Sequence, residues 1–243
     1  MMIKGIGFWG IALLLAVLLI AVQANAEMRE FKLPDGRALK AEIEGFNAKL
    51  DQVELKREDG KRVKVKPGIF VEADQEYIQE WASLDGFRNT AFFKVDCSKK
   101  LVEKWKKDGA AELMKYERFV YEVGLENRNA HVLETIEVDY RIFYEQERND
   151  QSRKVVASQL VKSGTLEIDR VWPKEKRTLS TESVVLEKYE FNTSEYYDPS
   201  GDPQSTSGKI YGIWVKIKLT TPSGLTATRE IFDPASIEGK YTW

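Results

Sequence analysis

From Glu30 onward, apolar and polar positions alternate in short runs. Leu39, Ala41 and Ile43 alternate with Lys40, Glu42 and Glu44, and "QVELKR" places Val53 and Leu55 on one face. "RVKVK" alternates Val63 and Val65 with Arg62, Lys64 and Lys66. A period of two over such runs predicts strands with one buried and one wet face. The Pro34–Gly36 step and Asp59-Gly60 supply tight turns between them, Asp-Gly being a strong hairpin signal. After Pro67-Gly68 the period changes. Ala73, Tyr77, Ile78, Trp81 and Ala82 recur at steps of four and one, which predicts a helix. Glu72, Asp74 and Glu76 load its first turns with negative charge, as the helix dipole favours. The pattern predicts a compact barrel of short strands ending in one helix, over residues 27–82. At roughly 55 residues it lies near the lower size limit of an unstapled domain.

Beyond the helix, Ala82 to Ala91 contains Asp85-Gly86 and predicts a connector; "AFFKVDC" (Ala91 to Cys97) predicts a strand. Ser98 to Ala111 is dense in charge, breaks the alternation and predicts an exposed loop or a short helix. Residues 83–112 thus form a connector, a first strand and a charged loop. From 113 to 243 alternation dominates. Phe119, Tyr121, Val123 and Leu125 share one period, and Ile136, Val138, Tyr140, Ile142 and Tyr144 extend another over five matches. Further strands are predicted over Leu160 to Val171, Leu179 to Phe191, Lys209 to Thr220 and Leu225 to Phe232. About seven strands with turns between them predict a mainly β chain whose second part is an antiparallel β-sandwich.

The start of the chain differs from both parts. Lys4 precedes an unbroken apolar or glycine run from Ile6 to Val22, and "ANA" closes it at Ala24 to Ala26. This is the pattern of a secretory signal, so residues 1–26 are expected to be removed and the remainder exported to the periplasm or the outside. The alternative is a retained anchor over residues 6–22, since the run approaches the length that spans a bilayer. No Cys follows the run, which excludes a bacterial lipoprotein anchor. Cys97 is the only cysteine, so an exported chain has no internal disulfide and holds together by core burial. A formal charge of −2 argues against nucleic acid as a partner, which needs a positive field.

The first part also resembles a known family. "DGR", "AEIEGF", "VELKREDGKRVKV" and "EADQEYIQEW" over residues 29–81 resemble the Sla-one homology domain, an SH3-like module of endocytic adaptors that also occurs in exported proteins of planctomycete- and verrucomicrobia-type bacteria. The family's usual Val-Pro-Leu step is "VKPGIF" here, and the position that caps the helix is Val71 rather than Ser or Thr, which implies a shifted or loosened helix start. The resemblance implies a shallow groove for a short extended peptide. Eukaryotic members bind Asn-Pro-Phe-x-Asp peptides and serve cytoskeletal adaptor work; an exported chain would keep the mode and not the partner. "VGLENRN" and "VDYRIFYE" resemble immunoglobulin-like or fibronectin-like accessory domains.

Chemistry is sparse. His131 is the only histidine and follows "NRN", as a solvated turn residue would; one His and one Cys make no zinc site. No G-x-S-x-G elbow supports a serine nucleophile. Asp198, Ser200 and Asp202 sit at alternate positions, but Pro203 and Lys209 occupy the glycine and glutamate positions of a calcium loop. No cofactor, metal or catalytic residue is therefore expected. The candidate site is a peptide-binding strip of Arg62, Lys64 and Lys66 on one strand face, whose plainer reading is a solvated edge guarded by charge. The chain reads as a non-enzymatic binding or adaptor protein whose partner is a peptide or protein segment. Its rivals are an envelope structural or carbohydrate-binding accessory protein, and a hydrolase with an unrecognised carboxylate site.

Overall fold

The computed structural model describes residues 28–109, 112–150, 154–191 and 205–243. Residues 1–26 and the Asp198, Ser200 and Asp202 loop lie outside them. Among the described residues no helix is long and apolar enough to cross a membrane. Among the described residues the protein is mainly β, with one α-helix and three antiparallel sheets.

The first sheet is a meander of β1 (Arg29–Lys32), β2 (Ala38–Asn47), β3 (Gln52–Arg57) and β4 (Arg62–Val65), in that spatial order. The alternation sets its faces. Phe31, Ile43, Val53 and Leu55 are buried with Phe70 and Ile78 in one small core, while Arg62 and Lys64 point to water. β1 and β4 are the edges, and among the described residues no pairing between them closes the sheet into a barrel. A short 3-10 turn, Pro67–Ile69, leads into α1 (Glu72–Arg88).

Val71 caps α1 without a side-chain hydrogen bond. The helix start is held instead by Asp74, whose buried carboxylate accepts hydrogen bonds from Arg29 Nε (3.1 Å), Arg29 Nη2 (3.0 Å) and the Lys32 amide (2.7 Å). One carboxylate thus ties the first turn of the helix to β1, in place of the missing cap.

The remaining strands are β5 (Phe93–Asp108), β6 (Glu112–Asn127), β7 (Leu133–Asn149), β8 (Val155–Val171), β9 (Lys176–Ser180), β10 (Val184–Phe191), β11 (Gly208–Thr220) and β12 (Thr226–Asp233). They form two sheets, β10-β6-β5 with β9 also on β6, and β12-β11-β7-β8. Val123 and Leu125 of β6, Val138 and Ile142 of β7, and Val215 and Ile217 of β11 lie within one shared core, as their period of two requires.

Three expectations are corrected. The connector predicted over Ala82 to Ala91 is mostly helix: α1 runs to Arg88, and Leu84 and Phe87 enter the core of the two sheets. The charged stretch after Cys97 is neither loop nor helix. It continues β5 as a strand, paired with β6 from Phe93↔Asn127 to Asp108↔Leu113 around one bulge between Leu101 and Glu103. Both faces of this arm are wet, so no alternation marks it. Cross-strand pairs hold it instead: Trp105 stacks on Tyr116 with centroids 5.1 Å apart, and Arg118 pairs with Glu103 at 2.9 Å. The strand predicted over Leu179 to Phe191 is two strands, because Thr181 turns inward and its Oγ1 accepts a hydrogen bond from the Tyr121 amide at 2.9 Å.

Candidate functional site

The predicted strip follows the edge strand β4, with Arg62 and Lys64 on it and Lys66 just after it. Arg62, Lys64 and Lys66 are exposed, and Val63 and Val65 pack against the small core, as the alternation requires. Two of the three cations are matched within the sheet. Arg62 donates from Nε (2.6 Å) and Nη2 (3.2 Å) to the Glu44 carboxylate, and Lys64 Nζ lies 3.5 Å from Glu54. The hydrogen bonds from Arg62 hold the Glu44 carboxyl below the usual carboxylate range. Lys66 has no ion pair among the described residues. The face is therefore a lattice of opposed charges, which contributes little per pair in water.

A second surface is built where the two parts meet, around α1. Glu80 Oε2 accepts hydrogen bonds from the amide (3.1 Å) and hydroxyl of Ser223 in the turn between β11 and β12. At the helix C-terminus Arg229 Nη1 donates to the carbonyls of Phe87 (3.2 Å) and Phe93 (2.5 Å). A cation at this end satisfies terminal carbonyls and complements the dipole. Burial pushes the Arg229 guanidinium below its ordinary value.

Opposite α1 lies the turn between β6 and β7. Asn127 is fully buried and organises it: Nδ2 donates to the carbonyls of His131 and Val171, both at 2.9 Å, and Oδ1 accepts from the Asn129 amide at 2.9 Å. This turn carries His131 onto Phe46 at the end of β2, with ring centroids 5.6 Å apart and edge-on. His131 is thus half-buried between the two parts rather than solvated, and burial pushes its pKa down. Its Nε2 and the Asn129 Nδ2 are buried with no hydrogen-bond partner among the described residues. Gly86 makes this approach possible, since a β-carbon there would overlap the Asn129 amide.

The surfaces of the β2–β3 turn, α1 and the β6–β7 turn enclose an open cleft of about 380 Å³. Phe92, 48 % exposed, and Lys49 stand along it, with Phe46 and His131 on its wall. Lys49 has no ion pair among the described residues. An exposed ring and an ammonium beside a partly apolar wall can together take an extended segment bearing an aromatic and a carboxylate. Sequence reasoning missed Asn127, Asn129 and Phe92. The "NRN" step carried the only local signal, since Asn at alternate positions favours side-chain-stabilised turns.

Other chemistry stands apart. Cys97 packs against the large core, and burial pushes its thiol up to about 12, so it stays protonated. Among the described residues no group of three or more His, Cys, Asp or Glu could hold a metal ion. Glu134, Glu137, Glu167 and Asp169 line a depression on the β7–β8 hairpin. Glu167 and Asp169 are exposed, so neither is desolvated as a general acid requires. The aromatic cluster at the C-terminus is self-occupied: Trp214 meets Trp243 at 5.0 Å, and Lys216 (4.2 Å) and Arg141 (4.8 Å) lie over the Trp243 ring.

No family model and no curated protein matches the chain. Among solved structures, a structural-genomics target designated SoR45 is similar at 10 % identity, with a TM-score of 0.27, over 58 % of this chain and 86 % of that one. A Bordetella pertussis protein described as ApaA is similar at 10 % identity, with a TM-score of 0.25, over 58 % and 90 %. Likeness at this level assigns neither a fold family nor an activity.

Proposed function

We propose that this chain is a non-enzymatic, exported binding protein that holds an extended peptide or protein segment in the cleft between its two parts. In this reading the first sheet and α1 are an SH3-like recognition module of the Sla-one homology type, and the two-sheet part is an immunoglobulin-like sandwich. The sandwich supplies the second wall of the site and is more than a spacer. The observation that carries the reading is the open cleft between the β2–β3 turn, α1 and the β6–β7 turn, with the exposed Phe92 and Lys49 along it. A concave site with an exposed ring and an ammonium beside it suits a segment that carries an aromatic and a carboxylate. The strip of Arg62, Lys64 and Lys66 is the second location, favoured only by Lys66, because Glu44 and Glu54 already match the other two cations.

Peptides bearing an aromatic and a carboxylate, selected from a display library on the chain from Glu27 onward, test both. Lys49→Ser with Phe92→Ala is expected to abolish binding, and Arg62→Ser with Lys64→Ser and Lys66→Ser to leave it unchanged. The reverse result moves the site to the strip. Failure to select any peptide removes the binding-module reading and favours the envelope or carbohydrate alternative, for which Trp172, 49 % exposed with the Arg170 guanidinium over its ring, is the candidate platform.

A further inference from the structure

The edges of the sheets are not treated alike. β5, an edge of its sheet, carries Lys94, Lys99, Lys100, Lys104, Lys106 and Lys107. β4 carries Arg62 and Lys64, and the four-residue β1 carries Arg29, Glu30 and Lys32. At the edge strand β12, Arg88 Nη2 of the helix reaches the Thr226 carbonyl. Charge, shortness and cover are the ordinary ways in which a protein keeps an open edge from pairing with another chain. β8 lacks all three over its first half. It pairs only with β7, from Asn149↔Val155 to Leu133↔Val171, and among the described residues no second strand is hydrogen-bonded to its other side. Val155 to Val161, "VVASQLV", contains no charged side chain. Val156 to Val161 are all exposed, and Val156, Leu160 and Val161 are large apolar residues.

We infer that this edge pairs with the same edge of a second copy, antiparallel about a two-fold axis at Ser158. The segment is self-complementary in that register. Val156 faces Leu160 of the other copy, Val155 faces Val161, Ala157 faces Gln159, and Ser158 faces itself. Residues that share a face in one strand therefore meet residues that share it in the other, which a period of two demands. The apolar pairs are of the kind that stabilises a strand pair, and no charge is buried within the window. The first flanking pair sets Lys162 against Lys154 of the other copy. Glu182 already pairs with Lys162, which relieves that contact. The pairing joins two four-stranded sheets into one continuous sheet and uses the edge of each, so it closes as a dimer and does not propagate. A second copy fits this edge better than an acidic or basic peptide, since seven uncharged positions offer such a peptide no complementary charge.

The test is sedimentation velocity of the chain from Glu27 onward, up to its solubility limit, with circular dichroism to confirm the fold of each variant. A dimer in concentration-dependent exchange with monomer is expected. Leu160→Lys with Val161→Lys changes exposed positions only, and raises the dissociation constant by roughly tenfold or more, because each lysine then faces an apolar residue of the other copy, Val156 or Val155, and the apolar pair is lost. Residues facing each other across an antiparallel pair have Cα atoms about 4.5–5.5 Å apart, within disulfide reach. Ser158→Cys is therefore expected to give a disulfide-linked dimer on mild oxidation, and Ser163→Cys none. A monomer at every concentration overturns the inference. Equal linking by both cysteines, a dimer indifferent to the two lysines, or a growing polymer also overturns it.

Discussion

The two halves of α1 serve different cores. Tyr77, Ile78 and Trp81 pack on the first sheet, whereas Leu84 and Phe87 are buried among the strands of the two-sheet part. At roughly 100° per residue, Phe87 lies about 180° around the helix from Ile78. One helix thus presents opposite faces to two cores in succession, with Gly86 between the second pair of anchors where Asn129 crosses. The arrangement teaches that the link between the parts is itself core. A connector with two buried anchors transmits orientation, so the cleft beside it keeps a fixed shape.

The largest expected effect comes from cutting either anchor. Phe87→Ala removes a fully buried ring and is expected to cost about 3–5 kcal/mol, and Ile78→Ala about 2–5 kcal/mol. The location of the damage sharpens the comparison. In hydrogen exchange followed by mass spectrometry, Phe87→Ala should speed exchange in β5, β6 and β12, and Ile78→Ala in β1 to β4. If both variants loosen the same strands, the helix belongs to a single core and the division is wrong.

Next in size is the clamp at the helix end. Arg229→Met keeps the aliphatic stem and leaves the Phe87 and Phe93 carbonyls without their donor, at a cost of about 1.5–3 kcal/mol in denaturant unfolding. Gly86→Ala should cost less, about 1–2 kcal/mol. The overlap with Asn129 is partly offset by roughly 1 kcal/mol of improved helix propensity. An increase in stability on Gly86→Ala would show that the β6–β7 turn is not seated against the helix.

Many of the individual elements are legible in the sequence. The strands of the first sheet and the start of α1 follow from alternation and from the acidic first turns, and β6, β7 and β11 follow from long period-two runs. The second half of α1 was not legible, because its apolar residues turn away from the stripe of the first half and so look like isolated positions in a polar linker. The far arm of β5 was hidden for the opposite reason: with water on both faces it has no period at all, and only cross-strand partners such as Trp105 and Tyr116 explain it. At the cleft, Phe46, Phe92, Asn129 and His131 come from separate elements. Local pattern carries no information about which turns meet in space, so the exposed Arg62, Lys64 and Lys66 were the more visible candidate.

The smallest effect is a test of the joint by pH. His131 has an ordinary value of about 6.5, and burial lowers it in the folded chain. The unfolded chain therefore binds a proton near pH 6.5 that the folded chain refuses until lower pH. Where the unfolded state binds more protons, stability rises with pH, so this group's contribution is full above about 6.5 and is lost as the pH falls below it. The charged groups along the two clefts that flank His131 are Lys49, Glu80, Asp85, Arg128 and Glu134, and the shift follows from burial alone. His131→Phe keeps an aromatic ring against Phe46 and removes the titration. Denaturant midpoints measured between about pH 7.5 and pH 5.5, above the carboxylate range, should fall for the native chain and stay level for the variant. Parallel curves would place His131 in water, and the contact between the β2 end and the β6–β7 turn would then be open in solution. Restored pH dependence in the variant would assign the effect to another group, and the two halves of α1 would have to be compared without this joint.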